Sequence, residues 1–287
     1  MQTVDRLQSL REAVDSLRAR GPVALVPTMG ALHEGHLTLV REAKARASSV
    51  VVSIFVNPAQ FGPNEDLDAY PRQLAEDAAM LEAEGVDLLW APPVSEVYPE
   101  GFATTVSVSG VSEGLCGAAR PGHFDGVATV VCKLFNQVRP DLALFGEKDW
   151  QQLAVIRRMA RDLDLTQPRA EAIHGVATVR EADGLALSSR NRYLSPENRA
   201  RAAILPRAML EAIGDIEEGA SVGDALSALE AALMAGGFDS VDYAELADAD
   251  SLGPLARLSD RPARLLVAAR IGGTRLIDNM AVGAQKA

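Results

Sequence analysis

Two hydrophobic periods take turns along the chain. Val23, Ala24, Leu25 and Val26 form an apolar run that stops at Pro27. After a glycine-containing turn, Leu37, Val40, Ala43 and Ala47 recur at helical spacing. The pattern predicts strand, turn, helix. Residues 50–56 follow as a nearly continuous apolar stretch, as expected of a strand covered on both faces. Strand, helix and strand in that order predict a parallel pair with a right-handed crossover, the start of a doubly wound sheet. Ahead of them, Thr3 is expected to cap a helix with apolar residues Leu7, Leu10, Val14 and Leu17, closed by Gly21 and Pro22.

Further along, residues 63–72 read as an irregular polar crossing segment, 74–84 as a helix closed by Gly85, and 86–90 as a strand. Alternation at Thr105, Ser107 and Ser109 predicts an edge strand over 101–109, and the glycine-rich stretch 114–124 an irregular loop. Val127, Val130, Val131, Leu134, Phe135 and Val138 give an apolar helix face, followed by a strand at 141–145 and a helix carrying Gln151 and Gln152. A last strand of this domain is expected at 168–174. Beyond a join near 175–180 come a polar loop and a helix opened by Ser195 and Pro196, with Ile204, Ala208, Ala212 and Ile216 on one face. A helix over 221–235 and strands near 240–246, 264–269 and 274–278 complete the pattern. The expected fold class is therefore α/β, a doubly wound, mostly parallel sheet over 1–176 with a smaller C-terminal α/β domain over 177–287.

Composition narrows the function. No apolar run approaches the roughly 20 residues that cross a bilayer. The first twenty residues alternate in charge (Asp5, Arg6, Arg11, Glu12, Asp15, Arg18), unlike a secretory signal, so a cytoplasmic location is the default. A formal net charge of -11 argues against a nucleic-acid surface, and an anionic substrate then needs a local basic site. Cys116 and Cys132 lie far apart with no C-x-x-C pattern, so reduced thiols and no metal site are expected.

The chemistry gathers at strand ends. His33 and His36, in an H-x-G-H arrangement around Gly35, fall where a helix start offers unsatisfied N–H groups and partial positive charge, a place suited to phosphate. Two histidines three apart also fit metal ligation, but no third ligand follows at suitable spacing, so phosphate contact is preferred. Asn57 and Gln60 end the second strand, and Gly146, Glu147, Lys148 and Asp149 end the 141–145 strand. Both lie beyond carboxyl ends, where ligands bind in open parallel sheets. Within the polar loop 179–192, Ser188, Ser189 and Arg190 offer hydroxyls and a guanidinium fork suited to phosphate oxygens.

Taken together, PTMGALHEGH, FVNPAQFG, RPGHFDGVATVV, LFGEKDWQQL and DGLALSSRNRYL, in fixed order over 27–194, closely resemble the pantothenate synthetase (pantoate–β-alanine ligase) family. The resemblance implies a nucleotidyltransferase-type fold related to class I aminoacyl-tRNA synthetases, a homodimer, and a need for ATP and Mg²⁺. It implies that pantoate and ATP give an enzyme-bound pantoyl adenylate, from which β-alanine displaces AMP. By the same resemblance His36 is the proton donor, with His33, Lys148 and Arg190 also catalytic. Gln60 and Gln152 hold pantoate, and Gln60 also β-alanine. Met29, Gly30, Ala31, Leu32, His33, Glu34, Gly35, His36, Gly146, Glu147, Lys148, Asp149, Val179, Leu187, Ser188, Ser189 and Arg190 line the ATP site, and the smaller domain closes over it. Asn57, Tyr70, Arg120 and His123 are candidates for the same pocket, and Glu76 or Asp77 for Mg²⁺ through water. Trp150 stands where the family pattern has a smaller aromatic, and Ala59 where a longer side chain is common, which puts pocket volume in question. The alternative reading is a nucleotidylyltransferase of the H-x-G-H superfamily acting on a phosphorylated acceptor.

Overall fold

The computed structural model describes residues 1–62 and 67–283. Part of the expected crossing segment, 63–66, and the end of the expected C-terminal domain, 284–287, lie outside the described residues. In chain order the first elements are β1 (Gln2–Val4), α1 (Leu7–Arg18), β2 (Val23–Thr28), α2 (Glu34–Arg46), β3 (Ser49–Ile54), α3 (Leu74–Ala83), β4 (Leu88–Trp90) and α4 (Val94–Val97). Next come α5 (Cys116–Ala119), α6 (His123–Val138), β5 (Leu142–Gly146), α7 (Trp150–Asp162) and β6 (Ile173–Val176). The chain then continues with α8 (Pro196–Ala202), α9 (Ile204–Glu217), α10 (Val222–Ala235), β7 (Ser240–Asp248), β8 (Ala263–Ile271) and β9 (Thr274–Val282). Two compact units result. The first comprises Met1–Ser109, Arg120–Glu147 and Val155–Ala177, and the second Gly110–Ala119, Lys148–Ala154 and Thr178–Ala287.

The first unit is built on a six-stranded parallel sheet in the order β1-β4-β3-β2-β5-β6. Ala24, Val26, Val50, Val52 and Leu144 of the sheet pack with Leu39, Val40 and Ala43 of α2 and Leu81 of α3. Each buried aliphatic side chain contributes roughly 1.5–3 kcal/mol, so the sheet rather than its loops sets the frame. Strand order reverses at β2, which pairs with β3 on one side and β5 on the other. Pro27 has no N–H to give, and the β2–β5 ladder covers only Ala24↔Leu142 and Leu25↔Ala143. On the β3 side pairing runs one residue beyond the expected stop, to Thr28↔Ile54. The sheet thus parts between β2 and β5 at its carboxyl edge, the switch point where such sheets open a crevice.

Three expectations for this unit are corrected. Thr3 does not cap α1. It pairs with Leu89 in β1, and the helix starts at Leu7, whose N–H the Glu96 carboxylate accepts at 2.8 Å. Residues 101–109 form no strand, because their polar groups turn to α6: Val106 N donates to Thr129 Oγ1 and Ser107 Oγ to Asp125. The last strand begins at Ile173, later than expected, since a 3₁₀ turn at Ala170–Ala172 precedes it.

The second unit packs α9 and α10 on the antiparallel sheet β7-β8-β9. Its core includes Leu205, Met209, Ile213, Leu229 and Leu233 from the helices and Leu265, Val267, Ile271 and Leu276 from the strands. The single helix expected after Ser195 is two, α8 and α9. Pro206 cannot donate to the Ala202 carbonyl, and its ring crowds that turn, so the helix breaks at Ala203. Ser195 and Ser221 cap α8 and α10 through bonds from Asn198 N and Asp224 N.

Candidate active site

In the first unit the turn between β2 and α2 is held from below by a carboxylate. Gly30 and Ala31 take left-handed conformations, φ 81° and 52°, which strain any residue with a Cβ at Ala31 and make glycine the fit at Gly30. Asp77 of α3, buried, accepts Ala31 N at 2.8 Å with Oδ2 and Leu32 N at 2.9 Å with Oδ1, and Gln73 Nε2 adds a third bond. Bonds to a carboxylate are charge-assisted and offset the cost of the strained turn. Both oxygens are thereby committed to the chain. Glu76, its neighbour, is exposed.

His33 then caps α2. Its Nδ1 accepts Gly35 N at 3.2 Å, and His36 Nδ1 accepts His33 N at 3.3 Å. The ring centroids lie 4.1 Å apart. Accepting at Nδ1 places the ring proton on Nε2 in each neutral imidazole, making both rings donors at that atom. Gly35 is small for a local reason: a Cβ there would meet the His33 ring at 3.0 Å. Glu34 lies exposed and pairs with Arg41.

Gln60 ends a one-turn 3₁₀ helix, Pro58–Gln60, after β3. Its Nε2 donates to Met29 Sδ at 3.0 Å, joining the ends of β3 and β2, and its Oε1 accepts Asn57 Nδ2 at 3.1 Å. Asn57 is fully engaged, donating also to Gly126 O and accepting from Ala59 N and Tyr98 Oη. Burial pushes the Tyr98 phenol up to about 12, so it stays a donor. The Gln60 carbonyl meets His123 Nδ1 at 2.8 Å and Arg120 Nη2 at 3.3 Å. Asn57, Arg120 and His123 thus act on Gln60, while Tyr70 packs edge-on against Phe61. Gly126 lets this turn sit on α6, for a Cβ there would fall 2.2 Å from Ala59 O. Gly146 closes β5, and Glu147 follows it in the same unit.

The remaining candidates, Lys148, Asp149, Gln152, Val179 and Leu187 to Arg190, belong to the second unit. Lys148 Nζ lies 3.9 Å from the Asp149 carboxylate, and its carbonyl accepts Asn279 Nδ2 at 2.9 Å. Trp150, the unexpected large aromatic, stacks on the Arg264 guanidinium at 3.4 Å from the ring centroid and donates from Nε1 to Ala249 O. Of the two glutamines on α7, Gln151 is buried and fastens 111–116 by bonds with Val111 O, Gly114 O and Cys116 N, whereas Gln152 is half-buried. Val179 and Leu187 face each other across a tight hairpin, Leu187 N donating to Val179 O. Ser188 caps the 3₁₀ turn Ser189–Tyr193 by accepting Arg190 N. Asn191 bonds that turn to Glu181 and Ala186 O, and Arg199 pairs with Glu181 and with Asp183, holding the Asp183 carboxyl below the usual carboxylate range.

Sequence reasoning passed over Asp278, Asn279, Arg180 and Arg264 in this unit. The available signal was a polar pair, Asp278 and Asn279, inside an otherwise apolar strand pattern. Among the described residues no three His, Cys, Asp or Glu side chains gather as a metal site, and no helix is long and apolar enough to cross a membrane.

A family model described as pantoate-beta-alanine ligase matches residues 2–281. The chain belongs to the pantoate–β-alanine ligase family. A pantothenate synthetase of Novosphingobium aromaticivorans is 71% identical over 286 residues, covering 99% of this chain and 100% of that one. One of Rhizorhabdus wittichii is 62% identical over 98% of this chain and 99% of its own. Among solved structures, pantothenate synthetase from Thermus thermophilus superposes with TM-score 0.91 at 51% identity, covering 98% and 99% of the two chains. The pantoate-beta-alanine ligase of Francisella tularensis, complexed with beta-gamma ATP and beta-alanine, reaches 0.80 at 33% identity, with 98% and 97% covered. As a pantoate–β-alanine ligase, the protein joins pantoate to β-alanine, and the nucleotidylyltransferase alternative falls away.

Proposed function

We propose that ligation uses ATP and runs through a pantoyl adenylate, with the β2–α2 turn as the phosphate-facing part of the first unit. The observation that carries the reading is the double histidine cap at the start of α2, tied through Met29 to Gln60. A carboxylate is a poor acyl donor because its oxygen leaves badly. In the first step a pantoate carboxylate oxygen attacks the α-phosphorus of ATP, the bond from that phosphorus to the bridging oxygen breaks, and pyrophosphate departs. In the second, the β-alanine amine attacks the acyl carbon, the C–O bond to AMP breaks, and the amine gives up a proton.

Such chemistry needs positioning and charge stabilisation rather than a covalent nucleophile. His33 and His36 donate from Nε2 to phosphate oxygens as charge develops, with His36 the proton donor. By the family resemblance, Met29, Gly30, Ala31, Leu32, Glu34, Gly35, Gly146 and Glu147 are the other nucleotide-binding residues of the first unit. Lys148, Asp149, Val179, Leu187, Ser188, Ser189 and Arg190 are those of the second, with Lys148 and Arg190 as catalytic cations. Gln60 and Gln152 hold pantoate, and Gln60 also β-alanine. Mg²⁺ fits this chain as an ion carried by nucleotide oxygens and water, since Asp77 gives both its oxygens to backbone N–H groups. Bound there, it would neutralise phosphate charge. A homodimer and a cytoplasmic location are proposed on the same family resemblance.

The test is ATP–pyrophosphate exchange with pantoate present and β-alanine absent, followed by AMP release on adding β-alanine. Exchange that requires pantoate is the expected outcome. Absence of exchange in protein that makes pantothenate would replace the adenylate by a single concerted step.

A further inference from the structure

In the second unit, the polar pair on β9 sits in a setting that a strand needs for no structural reason of its own. Its neighbour β8 is apolar over Leu265–Ala269 in the paired register, with Asp278 opposite Val267 and Asn279 opposite Leu266. Asp278 and Asn279 are nonetheless buried, 2% and 3% exposed. Burying such groups is costly unless their hydrogen bonds are made. Here each is spent on a loop that carries site candidates.

Asp278 takes Arg180 of the hairpin in a bidentate pair, at 2.6 and 2.9 Å, and Arg180 also donates to Asn279 O. Arg180 lies next to Val179, and the hairpin runs directly into Ser188, Ser189 and Arg190. Asn279 Nδ2 donates to the Lys148 carbonyl at 2.9 Å, while its Oδ1 accepts from Arg264, on which Trp150 stacks. Lys148 is therefore gripped twice, at its own carbonyl and two residues on. Successive strand side chains point to opposite faces, so two adjacent residues reach two separate loops.

We propose that Asp278 and Asn279 are positioning residues for ligation: one rigid strand pair sets where Lys148 stands relative to the Ser188–Arg190 turn. The inference rests on the nucleotide-facing role proposed for Lys148. Misplacing a catalytic group by about 1 Å costs on the order of a hundredfold in rate. A pair that fixes two loops at once therefore acts on catalysis without touching substrate.

Asn279→Asp tests it, because the variant keeps the size and the acceptor for Arg264 but loses the donor to Lys148 O. Pantoate-dependent ATP–pyrophosphate exchange, the ATP dissociation constant and thermal stability are measured for the wild type, Asn279→Asp, Lys148→Ala and the double variant. The expected result is a loss in kcat/KM for ATP of about tenfold to a hundredfold in Asn279→Asp. Its melting temperature falls by only a few degrees, as expected of one buried carbonyl left without its donor, and the effect on exchange and ATP affinity shrinks below about twofold once Lys148 is Ala. Unchanged exchange in Asn279→Asp overturns the proposal, as does an equal loss in both backgrounds, the mark of a merely structural role. Wild-type exchange in Lys148→Ala removes the reading of Lys148 itself, and this inference with it. Should Asn279→Asp fail to fold, Asn279→Ser, which retains a donor, is set against Asn279→Ala. Greater activity in the serine variant supports the proposal, and equal activity overturns it.

Discussion

Asp77 shows how one side chain shapes a site it does not enter. Its two oxygens hold Ala31 N and Leu32 N just ahead of the histidine cap, in a turn whose Ala31 is left-handed. The sequence placed Asp77 as an acid near the first turn of a helix, where acids are common for dipole reasons, and the resemblance offered it with Glu76 for Mg²⁺ through water; neither pointed to its hold on this turn. Its partners lie 46 and 45 residues away in sequence, beyond the reach of any local pattern. Asp77→Ala is expected to leave two buried N–H groups without acceptors, at about 1–3 kcal/mol each. Thermal melting should fall by several degrees, and exchange should fall further than the melt accounts for. Asp77→Asn, keeping one acceptor, should lie between the two. Full exchange in folded Asp77→Ala would show that the turn holds its shape without the carboxylate. The place of the histidines at a helix start was, by contrast, legible, because a helix start is a local matter and H-x-G-H stands within four residues.

At the level of elements, periodicity served where burial is regular and failed where polar groups found partners outside a ladder. The strands from β2 to β5 read correctly because both their faces are covered. Residues 101–109 carried a strand's alternation, yet Thr129 and Asp125 of α6 took its polar groups. The break between α8 and α9 was readable from Pro206, whose effect on the preceding turn outweighs an apolar face that continues through it. Gly126 is the element-scale counterpart of Asp77. Looking like an ordinary helix glycine, it is where α6 meets the turn that carries Gln60, with Ala59 O at 2.2 Å from any added Cβ. Backbone cannot yield cheaply there, so Gly126→Ala should push the Pro58–Gln60 turn off α6 and break the Asn57–Gly126 bond. If Gln60 holds pantoate as proposed, KM for pantoate should rise about tenfold or more while KM for ATP changes little. A rise in both would point to loss of the fold instead.

For the whole molecule, the second unit is not a simple C-terminal piece. Residues Gly110–Ala119 and Lys148–Ala154 group with it, so the chain enters this unit three times. Composition and linkers reveal where a chain passes from one pattern to another. They do not reveal that a helix turn at Trp150 supplies the aromatic face for Arg264, or that Cys116 Sγ lies 3.0 Å from Tyr243 Oη. A fragment of 178–287 would keep its sheet, α9 and α10 but lose Trp150 from Arg264, Lys148 O from Asn279 and Cys116 from Tyr243. Hydrogen bonds between neutral groups are worth about 0.5–1.5 kcal/mol each and a desolvated cation–π contact about 2. Against a total of about 5–15 kcal/mol for a folded domain, those losses are a large share. The fragment alone should therefore show poor amide dispersion and a broad thermal transition. Adding back 110–119 and 148–154 through the full chain restores cooperativity. A fragment of 178–287 that melts sharply, with well-dispersed amide signals, would mean that the sheet and its two helices carry the unit's stability without the earlier segments.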